Sequence, residues 1–482
     1  MSLSNEQGAS DVYTLLASLV ERYVAGDIEQ PVNPYRSPEE LKSLLDFSLT
    51  ESGESVEGVM DAMESLAGAS PRSTSKRFLN QLFGGRDAVA TAADMLVPVL
   101  NSSMYTFKAA GAMAIVEETV LNRLIQKIGF DTDTAQGTFT PGGSMSNMIA
   151  MIIARNRSFE DIRDEGIGGR SLICYTSADS HYSVAKNAGI LGIGRNNARK
   201  VAVNDRGEMD CNELNRMIVA DLMEGHIPCM VVATSGSTVM GSFDPIRELT
   251  EIARSYNAWL HVDASFGGSA LMSPKYRDLL DGIDRADSVA WNPHKVMGVP
   301  LSAAAFITRE SGILRKNLDE TADYLFQGDD DVYNPGTRSM QCGRRNDALK
   351  VWAAWKHHGD EGYRTRIDHL MNLAQRCAQL VSEDDRFVLS CEPAYVNVCF
   401  EVRGKCSRAV CDALRERNEL LVGHATVHGR RIIRVPFVNG DLTVADVQEM
   451  LDLILGAAES LPDGDNAVAR REPACGSSGC KG

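Results

Sequence analysis

The sequence predicts an α/β fold, a mainly parallel central sheet in a large domain followed by a small C-terminal α+β unit. Three observations lead there. Short apolar runs at 171–176, 200–204, 229–234, 259–263, 288–291 and 301–307 alternate with other segments, some of them helical, and strands covered by helices on both faces read as such runs. Two of them lead to ionisable side chains, Asp263 and Lys295, 32 positions apart (295 − 263), a spacing suited to neighbouring β/α units of one sheet. Beyond residue 365 the character changes: 396–402 alternates like a half-buried strand, 431–438 is a further strand, and 444–455 is an amphipathic helix.

From the N-terminus, residues 12–23 place apolar side chains at helical spacing, which leaves a face in need of a partner. Pro31, Pro34 and Pro71 interrupt the region, so 1–90 is expected as a helical arm packed on a second subunit. The segment 139–154 opens on the turn Pro141-Gly142-Gly143 and continues with Met145, Met148, Ile149 and Ile152 on one helical face. A helix starting behind glycines offers free N–H groups and a favourable dipole to an anion. With the hydroxyls of Ser144 and Ser146 this reads as a phosphate cradle; a serine N-cap is the simpler alternative for the piece alone. The strand series then fills a large domain over 91–365. Its polar, glycine-bearing stretch 327–338 is expected as a mobile loop, and 347–357 as a helix leading to a linker. The small domain follows over 366–465, and a flexible tail over 466–482 holds Cys475 and Cys480.

Composition narrows the function classes. No segment of the 482 residues approaches the roughly 18 consecutive apolar residues of a membrane span, and the first residues lack the order of a signal peptide. Eleven cysteines, an odd count without metal-ligand spacing, point to reduced thiols in a cytoplasm, with no metal site. A net charge of −16 disfavours nucleic acid as a partner and means that an anionic substrate needs a local positive site. A dinucleotide dehydrogenase is excluded because no Gly-x-Gly-x-x-Gly joins a strand to a helix.

The acid and the amine carry the chemistry. Pro293 ends the ladder after 288–291 and leaves Lys295 in a partly fixed loop after Asn292 and His294. Held among apolar residues, a lysine favours its neutral form and can make a Schiff base with a carbonyl. A solvated loop lysine is the alternative for this motif by itself. Asp263 changes the balance, because pyridoxal 5'-phosphate needs both a lysine for its aldehyde and an acid facing its pyridine nitrogen.

His261-Val-Asp-Ala264, Asn292-Pro-His-Lys295, Tyr324-Leu-Phe-Gln327 and Gln341-Cys-Gly-Arg344 together resemble the group II pyridoxal-phosphate decarboxylases, in particular the branch acting on glutamate, cysteine sulfinate and aspartate. The likeness runs from Phe78 to Arg434 and the closing helix. It implies the type I fold of the pyridoxal-phosphate enzymes, a small amino acid as substrate, and a homodimer with active sites at the subunit interface. It also implies cofactor contacts from Gly143, Ser144, Met145, Ser146, Thr234, Ser265, Asn292 and His294 beside Lys295 and Asp263, with His181 stacked on the ring. Tyr333 falls where such enzymes carry a loop tyrosine linked to protonation of the carbanion, and Arg434 matches the arginine that pairs with the substrate carboxylate. Gln81 and the segment of Phe107 and Lys108 fall on the substrate pocket. Here the chain departs from the family: the usual Tyr-Glu-Ile-Ala-Pro reads Phe107-Lys108-Ala109-Ala110-Gly111, and a common tryptophan is Phe266.

The resulting expectation is α-decarboxylation of a small, acidic L-amino acid. Two other outcomes stay open at this point. One keeps the cofactor but diverts the carbanion to C–C bond formation, oxidative deamination or β-elimination; the other is a noncatalytic regulatory homologue.

Overall fold

The computed structural model describes residues 6–26, 30–320 and 333–468. Positions 327–332 of the expected loop, the motif 324–327, and Cys475 and Cys480 lie outside the described residues.

The chain begins with helices α1 (Glu6–Ala25), α2 (Pro38–Leu44) and α3 (Val56–Gly68), then strand β1 (Phe78–Leu79) and helices α4 (Ala88–Leu100), α5 (Phe107–Ala110) and α6 (Ala112–Ile128). Local chemistry sets the boundaries: Ser37 and Glu40 form a reciprocal capping box at α2, and Asp87 caps α4 by accepting from the Ala90 N–H. No side chain of α3 is buried, while Val59, Met63 and Leu66 stand exposed.

The central segment follows as β2 (Gln136–Thr140), α7 (Gly143–Ser158), α8 (Ile162–Glu165), β3 (Leu172–Ser177), α9 (Ser183–Ile190), β4 (Ala198–Val201), α10 (Cys211–Met223), β5 (Ile227–Thr234), α11 (Ile246–Ser255), β6 (Trp259–Asp263), β7 (Ser288–Trp291), β8 (Ala304–Thr308) and α12 (Ile313–Leu318). Among the described residues these strands form one seven-stranded sheet in the order β2-β8-β7-β6-β5-β3-β4. Only β8 runs against its neighbours, so the mainly parallel sheet expected from the sequence is the one observed.

Alternate residues of each central strand face opposite layers. Tyr175, Val231 and Val262 pack with α6, α10 and α11, whereas Cys174, Met230 and Trp259 pack with α7, α9 and α12. Burial on both faces explains why these strands read as continuous apolar runs. Two expectations fail in detail. Between β6 and β7 the chain makes only short 3₁₀ turns where a β/α spacing suggested a helix, and β2, with the weakly apolar sequence Gln-Gly-Thr-Phe-Thr, was not foreseen.

A long helix, α13 (Ala348–Glu383), bends at Gly359, whose φ of 62° belongs to the left-handed region that glycine enters without steric cost. It leads into β9 (Phe387–Leu389), β10 (Asn397–Val402), α14 (Ser407–Glu416), β11 (Leu421–Val427), β12 (Arg430–Pro436) and α15 (Val444–Glu459). These strands build a second sheet, β1-β11-β12-β10-β9, so the arm expected over 1–90 lends a strand to the C-terminal unit. Strand β10 is buried at every position, not half-buried as its alternation suggested. Its inward Glu401 is tolerated because Arg430 and Asn466 hold the carboxylate.

Arg344, from the Gln341–Arg344 motif, makes a two-pronged ion pair with Glu117 of α6, both bonds 2.6 Å, with each side chain almost fully buried. Breaking such a pair strands a buried charge. Glu117→Gln should therefore lower unfolding free energy by about 3–5 kcal/mol, read as a shift in the urea midpoint; an unshifted midpoint would show that the pair is not structural.

Candidate active site

Five parallel strands converge. The carboxyl ends of β5, β6 and β7 present Thr234, Asp263 and the Asn292–Lys295 loop, β3 leads to His181, and β2 leads through Gly142 into α7. Register puts Thr234 beside Asp263 and Asp263 beside Ala290, so neighbouring strands deliver the acid and the amine to one mouth. A ligand crevice at the carboxyl edge is where α/β sheets of this kind bind. The cavity there, of about 200 Å³, brings together Gly143, Ser144, His181, Thr234, Asp263, Ser265, Asn292, His294 and Lys295.

Electrostatics follow from burial. Lys295, half-buried at the cavity wall, is pushed towards its neutral form by loss of water, with Asp263 opposing the shift. Burial alone would raise the Asp263 carboxyl; Lys295, hydrogen bonds from Ser265 and Asn147, and His261 outweigh it and hold the group below the usual range. His181 is driven towards neutral imidazole by burial, partly offset by Asp263. The Lys295 amine stands 5.8 Å from the centre of the Phe266 ring, which forms part of the wall.

His261 and His294 are pushed down to about 4 by burial, His294 also by Lys295. An unfolded histidine takes up its proton near 6.5, so between 6.5 and 4 the unfolded chain binds more protons and stability falls as pH falls. The loss should be of the order of 3 kcal/mol per histidine. Urea midpoints at about pH 7.5 and about pH 4.5 should differ accordingly, and His261→Gln should reduce the difference; equal midpoints would refute the neutral burial of these rings.

Several expected residues stand elsewhere. Ser146 is fully buried and its hydroxyl pairs with Thr140 at 2.8 Å, so it ties β2 to α7 instead of facing the cavity; Met145 is half-buried and outside the lining. Gln81 and Lys108 are exposed. Phe107 accompanies Met104, Ala110 and Ala114 in a small apolar cluster, with its ring 5.8 Å from that of Tyr333, which is 45% exposed. Arg434, half-buried, donates to the carbonyls of Thr238, at 3.0 Å, and Asn80. Thr238 itself lines the cavity, as do Gly236 and Asn147, which the sequence reading did not single out as site residues. Asn147 had one legible signal: it lies four positions after Gly143, on the same face of α7.

The pyridoxal-dependent decarboxylase conserved domain matches residues 38–403. The chain belongs to this family. Its enzymes are pyridoxal-dependent carboxy-lyases, and this member is one of them, with pyridoxal 5'-phosphate as cofactor. Acidic amino acid decarboxylase GADL1 of Xenopus tropicalis is 41% identical over 404 residues, 83% of this chain and 78% of the relative. Cysteine sulfinic acid decarboxylase of Homo sapiens is 38% identical over 449 residues, 88% of this chain and 90% of the relative. The crystal structure of mouse CSAD in apo form superposes with a TM-score of 0.91 at 33% identity, over 95% of this chain and all of that one (100%). The fold of the pyridoxal-phosphate decarboxylases is thus the fold observed.

The decarboxylase's own residues fit that cofactor. Thr234 Oγ1, Ser265 Oγ and Asn292 Oδ1 are buried at the cavity without a hydrogen-bond partner among the described residues, and buried polar atoms rarely stay unpaired. Gly143 keeps the space open: a Cβ there would lie 2.5 Å from Ser265 Oγ and 2.9 Å from Asn292 Nδ2.

Proposed function

We propose that this decarboxylase removes the α-carboxylate of a small acidic L-amino acid, releasing carbon dioxide and the corresponding amine, and that it works as a cytoplasmic homodimer. The observation that carries the reading is the buried acid Asp263 and the half-buried amine of Lys295, delivered to one cavity by neighbouring strands in a chain of this family. The acidic substrate is favoured by the relatives named for it.

In this reading Lys295 holds the cofactor through its amine, and the cofactor supplies an electron sink for the bond that breaks. Asp263 would keep a negative charge at the site, Gly143, Ser144 and the start of α7 would hold the phosphate group, and Thr234, Ser265, Asn292, His294 and His181 would line the walls around the cofactor. Arg434 offers a fixed guanidinium to the substrate carboxylate, its two contacts to main-chain carbonyls leaving its charge uncancelled. Tyr333 returns a proton to Cα, and its exposure in a single chain suits action across a subunit interface, as does the exposed apolar surface of α3. Gln81, Phe107 and Lys108 would then meet substrate only in the assembled dimer. The free thiols, among them Cys174 and Cys229 with sulfurs 3.4 Å apart, suit a reducing compartment, and no helix among the described residues is long and apolar enough to cross a membrane.

The test is incubation of the pyridoxal-phosphate-loaded protein with aspartate, cysteine sulfinate, glutamate and neutral amino acids, following carbon dioxide and organic product by mass spectrometry. Amine and carbon dioxide in equal amounts from an acidic substrate are expected. Aldehyde or keto products, or preference for neutral side chains, would overturn the proposal.

A further inference from the structure

Behind the cavity runs a chain of hydrogen bonds in which every proton can be placed. Its two ends leave no choice: the Trp259 indole can only donate, and the ionised Asp263 carboxylate can only accept. Trp259 Nε1 donates to Ser288 Oγ at 2.8 Å, and Ser288 Oγ lies 2.9 Å from His261 Nδ1. His261 Nε2 lies 3.0 Å from Asn147 Oδ1, and Asn147 Nδ2 donates to Asp263 Oδ2 at 2.7 Å. Because Asp263 needs the donor end of the amide, Asn147 turns its oxygen to His261, whose proton must then sit on Nε2. His261 Nδ1 accepts from the Ser288 hydroxyl.

The same amide nitrogen has a second hydrogen. It donates to Ser183 Oγ at 3.0 Å, and Ser183 Oγ lies 2.8 Å from His181 Nδ1. The Ser183 main-chain N–H also points at that nitrogen, 3.3 Å away. A proton on His181 Nδ1 would meet this N–H head on, so Nδ1 is the acceptor and neutral His181 carries its proton on Nε2. Asn147, Ser183, His261 and Ser288 are all buried, so water does not compete for these bonds.

We propose that Asn147 is a positioning residue whose single side-chain amide sets both the orientation of the Asp263 carboxylate and the tautomer of His261, and that through Ser183 it also braces His181, linking the two groups on which the proposed reaction depends. The role in turnover rests on the cavity being the active site; the tautomers do not. Buried partners that orient site groups typically cost 10–100-fold in activity when lost, so Asn147→Leu should lower kcat by about that factor. KM should stay within about twofold, since the Asn147 amide, though at the cavity wall, is committed to Asp263, Ser183 and His261.

The tautomers are read by nitrogen NMR of the full chain labelled at histidine with ¹⁵N, with and without pyridoxal 5'-phosphate, His181 and His261 being assigned by their loss in His181→Gln and His261→Gln. Both should carry the proton on Nε2. Asn147→Leu should release His261 to mixed tautomers, while His181, still facing the Ser183 main-chain N–H, keeps its proton on Nε2; Ser183→Ala, which retains that N–H, should leave both tautomers in place. A proton on His181 Nδ1 or on His261 Nδ1 in the unaltered protein, or an unchanged His261 in a folded Asn147→Leu, would overturn the proposal. Should Asn147→Leu fail to fold, a His261 proton that leaves Nε2 in Ser288→Ala overturns it instead, because Asn147 alone would then have failed to hold the tautomer. Expected tautomers in a protein that releases no carbon dioxide would sink the proposed function and leave this relay standing.

Discussion

Lys295→Ala should abolish decarboxylation, by at least about 10⁴-fold, while the fold persists. In the proposed mechanism the amine is the covalent handle for the cofactor, and no other lysine is among the described residues lining the cavity. Truncation leaves β7 and its cross-strand partners untouched, since their register rests on main-chain bonds. One electrostatic consequence accompanies the loss: Asp263, held ionised against burial chiefly by Lys295, should shift upward. Borohydride reduction of the loaded protein followed by peptide mapping should find the cofactor on Lys295 and on no residue of the variant. Full turnover by the variant, or an adduct at another lysine, would remove the basis of the mechanism.

Asp263→Asn should be the next most damaging change, lowering kcat by about 10²–10³-fold, the scale seen when one preorganised electrostatic partner is removed from a closed site. Shape is nearly conserved, but the Ser265 N–H and the Asn147 amide bond opposite oxygens of the carboxylate, and asparagine keeps only one of the two as an acceptor. What disappears is the charge and one acceptor. Lys295, whose protonated form Asp263 favours, should become still easier to deprotonate, so the visible spectrum of the bound cofactor should change with pH differently from the parent. A kcat within about threefold of the parent would mean that the carboxylate orients and does not stabilise charge.

Much of this was legible in the sequence because parallel strands buried on both faces leave continuous apolar runs, and β3, β5, β6 and β7 are such runs. Asp263 and Lys295 were legible because the first ends such a run and the second follows one after only three residues. What escaped has physical reasons. The alternation of 396–402 reflected a buried Glu401 paired with Arg430, a cross-strand contact no single segment reveals. Ser146 looked like a phosphate donor from its place in the glycine turn, yet its hydroxyl is spent on Thr140, a residue known to be near only once β2 is seen as a strand. The relay through Asn147 gathers residues from four separate stretches, and polar side chains on strands carry no mark of their buried partners.

The pairing of Phe78 and Leu79 with Leu421 and Val422 reaches beyond the site. A shortened chain beginning after residue 90 would lose more than its first helices: the flank of β11 would be stripped of its neighbour, and its bare amides and carbonyls would offer a template to other chains. Such trimmed material should clump or misassemble before any question of turnover arises, so expression boundaries for this enzyme belong upstream of Phe78.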